Sequence, residues 1–197
     1  MNLHYAARMD SPANDDEART RLLDAAESLF YAEGIQAVGM DRIRAESGVP
    51  LKRLYRIFPA KEALVTAYLE RRDRRWIAGL REAVDGAPDP VAAVFDWLAA
   101  WFSEPDFRGC AFLNAYGELG AGPAGVLDVV HRHKAELRNV LAGLTVPADP
   151  PGLADQLLIL VEGATVVAAL DPGPAPAHHA AAAARTLLGR STGAARA

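Results

Sequence analysis

The sequence holds one cysteine, Cys110, so no disulfide can form within the chain. Lysine occurs only at Lys52, Lys61 and Lys134. No stretch alternates apolar and polar residues over strand length, and no repeat period recurs, which speaks against sheet architectures and solenoids. The longest apolar stretch, Leu157 to Leu170, is too short to span a bilayer and carries Glu162. Met1 to Asp16 lacks the apolar centre of a signal peptide. These shortages predict a soluble, cytoplasmic protein with no membrane partner. A general excess of positive charge is missing too. The net charge is −4, which argues against a sticky coat for nucleic acid.

What is present is unevenly placed. Glu17 to Glu82 carries 13 basic and 10 acidic residues, a balance of +3, whereas the rest stands at −7. Lys52, Arg53, Arg56 and Lys61 fall within Val49 to Lys61 with no acid among them. A short basic stretch on an acidic chain predicts a confined anion-binding surface. Apolar residues make up 51% of the 197, enough for a substantial core.

The periodicity is helical throughout. Leu22, Ala26, Leu29 and Phe30 predict a first helix over about Glu17–Glu33, with Asp15 and Asp16 at its start and Gly34 closing it. Two short helices follow, Met40–Ser47 and about Leu51–Ile57, split by Gly48 and opened by Pro50. A long helix runs from Lys61 to about Val84, with Leu64, Tyr68, Trp76 and Leu80 on its apolar face. Beyond a seam at Gly86-Ala87-Pro88, helices are predicted at Pro90–Phe102, Phe107–Leu119, Pro123–Leu144, Pro151–Leu170 and Ala175–Leu188. The expected organisation is a flexible arm over 1–14, a helix-turn-helix domain over 15–60, a helical regulatory domain over 61–190 and a flexible tail over 191–197. The fold class is all-α.

The two short helices carry the most specific signal. In a helix-turn-helix the first helix braces the second, which enters the major groove and shows side chains to base edges. Here the second would turn Leu51, Lys52, Arg53, Tyr55 and Arg56 outward, with Leu54 and Phe58 inward. Arginine can make paired bonds to guanine, so Arg53 and Arg56 are candidate base readers. Tyr55 and Lys61 are candidate phosphate contacts, Lys61 standing at a helix N-terminus that already favours an anion. Arg42 is a further candidate for DNA, with a solvated or salt-bridged side chain as the alternative, as for Arg44. Arg71, Arg72, Arg74 and Arg75 read as a solvated helix face.

Ala25-Ala26, Leu29-Phe30, Gly34, Asp41-Arg42-Ile43, Gly48-Val49, Leu54-Tyr55, Phe58-Pro59 and Lys61-Glu62-Ala63-Leu64 occur in this order between about Arg19 and Leu69. In that order and spacing they resemble the TetR family of transcriptional regulators. The resemblance implies a DNA-binding three-helix domain joined to a helical ligand-binding and dimerisation domain. It places backbone contacts at Tyr55 and Lys61, and base reading at Lys52, Arg53 and Arg56. The chain departs from the family at Gly39, where a Thr or Ser cap is usual, and at Arg44, Pro50 and Ile57. Further on, Gly109-Cys110-Ala111-Phe112-Leu113-Asn114-Ala115 is similar to a motif of one large subgroup.

The remaining helices allow a pocket and a pairing surface. Trp97 and Trp101 lie four apart, as do Phe112 and Tyr116, and such aromatics either wall a cavity or pack a core. Asn114, His131, His133 and Glu162 could supply polar contacts to a small molecule. Glu162 interrupts a nearly all-apolar helix, so it needs a partner or an exposed edge. Leu157, Val161, Ala164 and Ala168 form one apolar stripe, and Ala180 to Ala184 allow close helix approach. The resemblance implies that these last two helices pair with their copies in a homodimer.

The expected function is a regulator, most naturally a repressor, released from palindromic operator DNA by a small, largely apolar effector. No cofactor or metal is expected. One alternative is a DNA-binding regulator controlled by a protein partner and lacking a pocket. A remoter one is an enzyme using Cys110 with His131 or His133. No glycine-rich elbow or orienting acid accompanies them, and two residues apart on a helix the histidines diverge.

Overall fold

The computed structural model describes residues 12–120, 122–146 and 149–194, and these contain nine α-helices and no strand. In chain order they are α1 (Pro12–Glu33), α2 (Met40–Ser47), α3 (Leu51–Ile57), α4 (Lys61–Val84), α5 (Pro90–Phe102), α6 (Ala111–Leu119), α7 (Ala124–Gly143), α8 (Leu153–Leu170) and α9 (Ala175–Ala194). The all-α expectation holds.

Three boundaries differ from the sequence expectation by more than two residues. Helix α1 opens at Pro12 rather than Glu17, because proline suits a first helical turn that lacks a partner for its N–H. The expected arm otherwise lies outside the described residues. Helix α9 continues to Ala194, past the expected end at Leu188, and 195–197 again lie outside. Helix α6 starts at Ala111 instead of Phe107. Gly109 stands at φ +81°, outside helical geometry, and a Cβ there would come within 3.0 Å of the Ala169 methyl.

The chain divides into two compact units. The first comprises residues up to Arg72 together with Ala111–Val130, and the second comprises Asp73–Cys110 and the residues from His131 onward. Thus α6 and the first turns of α7 join the helix-turn-helix unit, a grouping that chain order does not announce.

In the first unit α1 packs on both α2 and α3. Its buried face is Ala18, Leu22, Ala25, Ala26, Leu29 and Phe30, the spacing of one helical stripe. Ile43 of α2, Leu54 of α3 and Leu64, Tyr68 and Leu69 of α4 are buried beside them. The Phe30 and Tyr68 rings lie 5.8 Å apart. Arg71 departs from the expected solvated face. It is buried, and its guanidinium donates to Asp24 at 2.7 Å and Glu27 at 2.6 Å, tying α4 to α1. Arg72 also leaves that face, lying over the Tyr31 ring at 3.9 Å and 3.5 Å from Glu27. Arg74 and Arg75 are exposed as expected.

In the second unit α5, α8 and α9 pack on one another. Asp89 caps α5 by accepting from the Ala92 N–H at 3.0 Å, and Pro90 opens the helix. The core includes Leu80, Phe95, Leu98, Phe102, Leu137, Leu157, Val161 and Ala168. Ala177, Ala180, Ala181 and Ala184 are buried within the same core, their small side chains bringing α9 close to its neighbours. The expected α8 stripe of Leu157, Val161, Ala164 and Ala168 faces this core. Helix α8 also carries large apolar residues that are exposed: Ile159 by 70%, Val166 by 50%, Val167 by 53% and Leu170 by 85%. Helix α8 extends beyond the expected apolar stretch Leu157–Leu170, so by length and composition alone it could cross a membrane, a test that core helices of soluble proteins also pass.

Candidate nucleic-acid interface

The turn between α2 and α3 is built by three residues in succession. Ser47 ends α2, Gly48 reverses the chain at φ +62° and ψ 16°, and Val49 buries its side chain. The Gly48 N–H donates to the Arg44 carbonyl at 3.0 Å, a left-handed helix cap that glycine adopts without strain. Arg21 of α1 reaches the same corner. Its Nε and Nη2 donate to the Ser47 carbonyl at 3.0 and 2.6 Å, satisfying an oxygen at the end of α2. Pro50 then opens α3, whose first bonds run from the Arg53 and Leu54 N–H groups to the Pro50 carbonyl.

Helix α3 has the two faces expected of it. Leu54 is buried, as is Phe58 just beyond the helix, and the Arg19 guanidinium lies 4.8 Å from the Phe58 ring. Leu51, Lys52, Tyr55 and Arg56 are exposed, and Arg53 is half-buried. Both candidate base readers are engaged from α1. Arg56 Nη2 lies 2.5 Å from Asp15 Oδ1, Arg53 Nε lies 3.5 Å from the same oxygen, and Arg53 Nη1 donates to Asn14 Oδ1 at 2.9 Å. Neither partner was among the expected site residues, because a helix-start aspartate reads from sequence as a cap.

The flanking candidates Lys61 and Arg42 belong to α4 and α2. Lys61, at the start of α4, donates to the Gln36 carbonyl at 3.5 Å, and its Nζ lies 6.0 Å from the centre of the Phe30 ring. Gln36 is itself held by α6. Its N–H donates to Glu118 Oε2 at 2.8 Å, and its side-chain amide donates to the Glu118 carbonyl. Arg42 is exposed and pairs with Glu33 at 3.2 Å, while Arg44 pairs with Asp41 at 3.7 Å. Gly39 caps α2 with extended backbone and no side-chain bond, and the space beyond its Cα is open.

The candidate ligand residues fall in both units. In the second, Trp97 and Trp101 come together as expected, with ring centres 6.0 Å apart. Trp76 packs edge-on against both, at 4.7 and 5.6 Å, and Phe107 against Trp101 at 5.0 Å. His133 is buried beside Trp76 and bonds Asp73 Oδ1 through Nδ1 at 2.8 Å, while His131 is exposed. Glu162 has the partner its helix requires, Lys134 Nζ at 2.6 Å, and that ammonium also lies 3.3 Å from Cys110 Sγ. An open groove of about 630 Å³ is lined in part by Arg81, Asp85, Asn139 and Leu144. In the first unit α6 does not present the expected aromatic pair: Phe112 is buried, whereas Tyr116 and Asn114 are exposed.

A braced, exposed basic helix following a glycine turn defines the class of helix-turn-helix proteins. The family model for bacterial regulatory proteins of the tetR family matches residues 22–68, the span from the middle of α1 into α4. An uncharacterised HTH-type transcriptional regulator of Mycobacterium tuberculosis is 45% identical over 137 residues, which cover 68% of this chain and 65% of that protein. The chain therefore spans just under two thirds of that relative. The transcriptional regulator AcuR of Cereibacter sphaeroides is 30% identical over 176 residues, 82% of this chain and 80% of its own. A crystal structure of a TetR-family transcriptional regulator from Streptomyces coelicolor superposes with a TM-score of 0.82 at 33% identity, covering 89% of this chain and 96% of that one. The chain belongs to the TetR family of transcriptional regulators.

Proposed function

We propose that the protein is a dimeric, ligand-responsive DNA-binding repressor. The observation that carries the DNA-binding reading is the outward face of α3, where Lys52, Tyr55 and Arg56 are exposed beside Arg53. Lys52, Arg53 and Arg56 read base edges, Tyr55 and Lys61 bind phosphates, and Arg42 adds a backbone contact after leaving Glu33.

Dimerisation is supported by the outer face of α8. Ile159, Gly163, Val166, Val167 and Leu170 follow helical spacing, and all are exposed. A monomer would leave this stripe in water, and a two-fold copy would cover it with itself. Gly163 at its centre, where a Cβ would meet nothing within 4 Å, permits close helix approach. Two copies would present two recognition helices to a palindromic site.

The effector reading rests on the indoles Trp97 and Trp101, with Glu162, paired with Lys134, as a candidate polar contact. An effector that binds better to a form unable to engage DNA would release the operator by linkage.

The test is selection of bound duplexes from a random pool at stated salt. Enrichment of a two-fold-symmetric sequence supports the reading. A folded protein that enriches nothing at low and moderate salt refutes it.

A further inference from the structure

Asp15 stands where it can compete with DNA. Its Oδ1 takes Arg56 at 2.5 Å and Arg53 at 3.5 Å, so one carboxylate oxygen serves both candidate base readers. Asn14 engages a second nitrogen of Arg53. The paired recognition of guanine uses two donors of one guanidinium. Where guanine takes the donors that Asp15 and Asn14 now hold, Arg53 and Arg56 exchange partners to read bases.

We infer that Asp15 is a specificity-determining residue, an internal anion that guards the two reading arginines against non-specific phosphate. This rests on the DNA-binding reading of α3. A phosphate oxygen offers an arginine much what the Asp15 oxygen already provides, so exchanging one for the other gains little. It also leaves the freed carboxylate facing a polyanion. Guanine offers two aligned acceptors to each arginine, so the exchange is favoured only where the base is right. The pairs are partly exposed, with Asp15 and Arg56 side chains 36% and 45% accessible, so the exchange needs no unfolding.

The experiment compares Asp15→Asn with Asp16→Asn, which removes the same charge one residue further along α1. Each is measured against the unaltered protein on its selected duplex and on a random duplex, across a salt series. Asp15→Asn is expected to tighten random-duplex binding about two- to fivefold, the scale of an exposed ion pair. Its salt slope should steepen by about one for each added phosphate contact. Affinity for the selected duplex should change less, so discrimination falls. Asp16→Asn should leave discrimination where it was. Equal behaviour of the two variants overturns the inference. So does loss of affinity for the selected duplex without gain on random DNA, which would make Asp15 a positioning residue. If the unaltered protein enriches no duplex, the regulator reading fails separately. Binding of both variants to heparin, a sulfated polyanion, then still decides whether Asp15 competes for the arginines.

Discussion

Replacing Gly48 with alanine tests how the turn is held. The residue sits at φ +62°, where a side chain costs about 1–2 kcal/mol relative to glycine. The new methyl would also stand 3.1 Å from Arg21 Nη2. That nitrogen is the flexible end of a side chain, so the guanidinium can yield, but in yielding it weakens its 2.6 Å bond to the Ser47 carbonyl. A hydrogen bond to a charged group contributes about 1.5–3 kcal/mol net, of which only part is lost. The expected cost is about 2–3 kcal/mol. At about 2–4 °C per kcal/mol for a chain of this size, Tm should fall by about 4–12 °C. Urea unfolding followed by far-ultraviolet circular dichroism, at one fixed protein concentration, reads the change directly. The same substitution in an Arg21→Ala background should cost only the backbone share, about 1–2 kcal/mol. A loss under about 0.5 kcal/mol in the unaltered background would refute the account of the turn. An undiminished cost in the double variant would refute the part assigned to Arg21.

Arg53→Ala should lose about 1–3 kcal/mol of discrimination at one base position. Lys61→Ala should weaken all duplexes evenly and flatten the salt slope by about one. Binding titrations across salt check both, and an Arg53→Ala variant with unchanged affinity and preference would mean that α3 does not read bases. Val166→Glu, at a position already half exposed, should convert a dimer to a folded monomer in sedimentation experiments; a persistent dimer would place the pairing surface elsewhere. Asp155 lies below the ordinary carboxylate range, chiefly through its side-chain hydrogen bonds from Arg138, with the cation's charge acting in the same direction. Its contribution is therefore complete above the unfolded carboxylate value and lost as pH falls through the lowered one. Nuclear magnetic resonance titration of Arg138→Gln should show the Asp155 midpoint rising toward its ordinary value, and an unmoved midpoint would dissociate the pair.

The features legible in the sequence are those written in short windows. Gly48 between two short helices, Pro50 opening the second and the inward pair Leu54 and Phe58 all lie within eleven residues. What escaped reading depends on residues far apart in the chain. Glu118 meets Gln36 across 82 positions, and no periodicity of α6 announces that contact. Arg71 lies in a run of charges that looks solvated, and only the arrival of Asp24 and Glu27 from α1 makes its burial tolerable. The start of α6 differs from the expected Phe107 because the Gly109 backbone adopts a geometry that the residue pattern does not encode. The pairing of Arg53 and Arg56 with Asp15 was hidden for a related reason, since a carboxylate at a helix start already has a local role.

The aromatic cluster of the second unit has an optical consequence. Trp76, Trp97 and Trp101 are all the tryptophans of the chain, and they lie within 6.0 Å of one another. Ultraviolet excitation just beyond the tyrosine absorption band therefore samples one location. Emission from three indoles this close is shared by energy transfer, so quenching any one of them dims the group. The helix-turn-helix contributes no indole to this signal. Intrinsic emission thus serves as a label-free readout of the second unit, while events at α3 need an extrinsic dye or labelled DNA. A molecule that settles against Trp97 or Trp101 would reveal itself in the unmodified protein before its chemical identity is known.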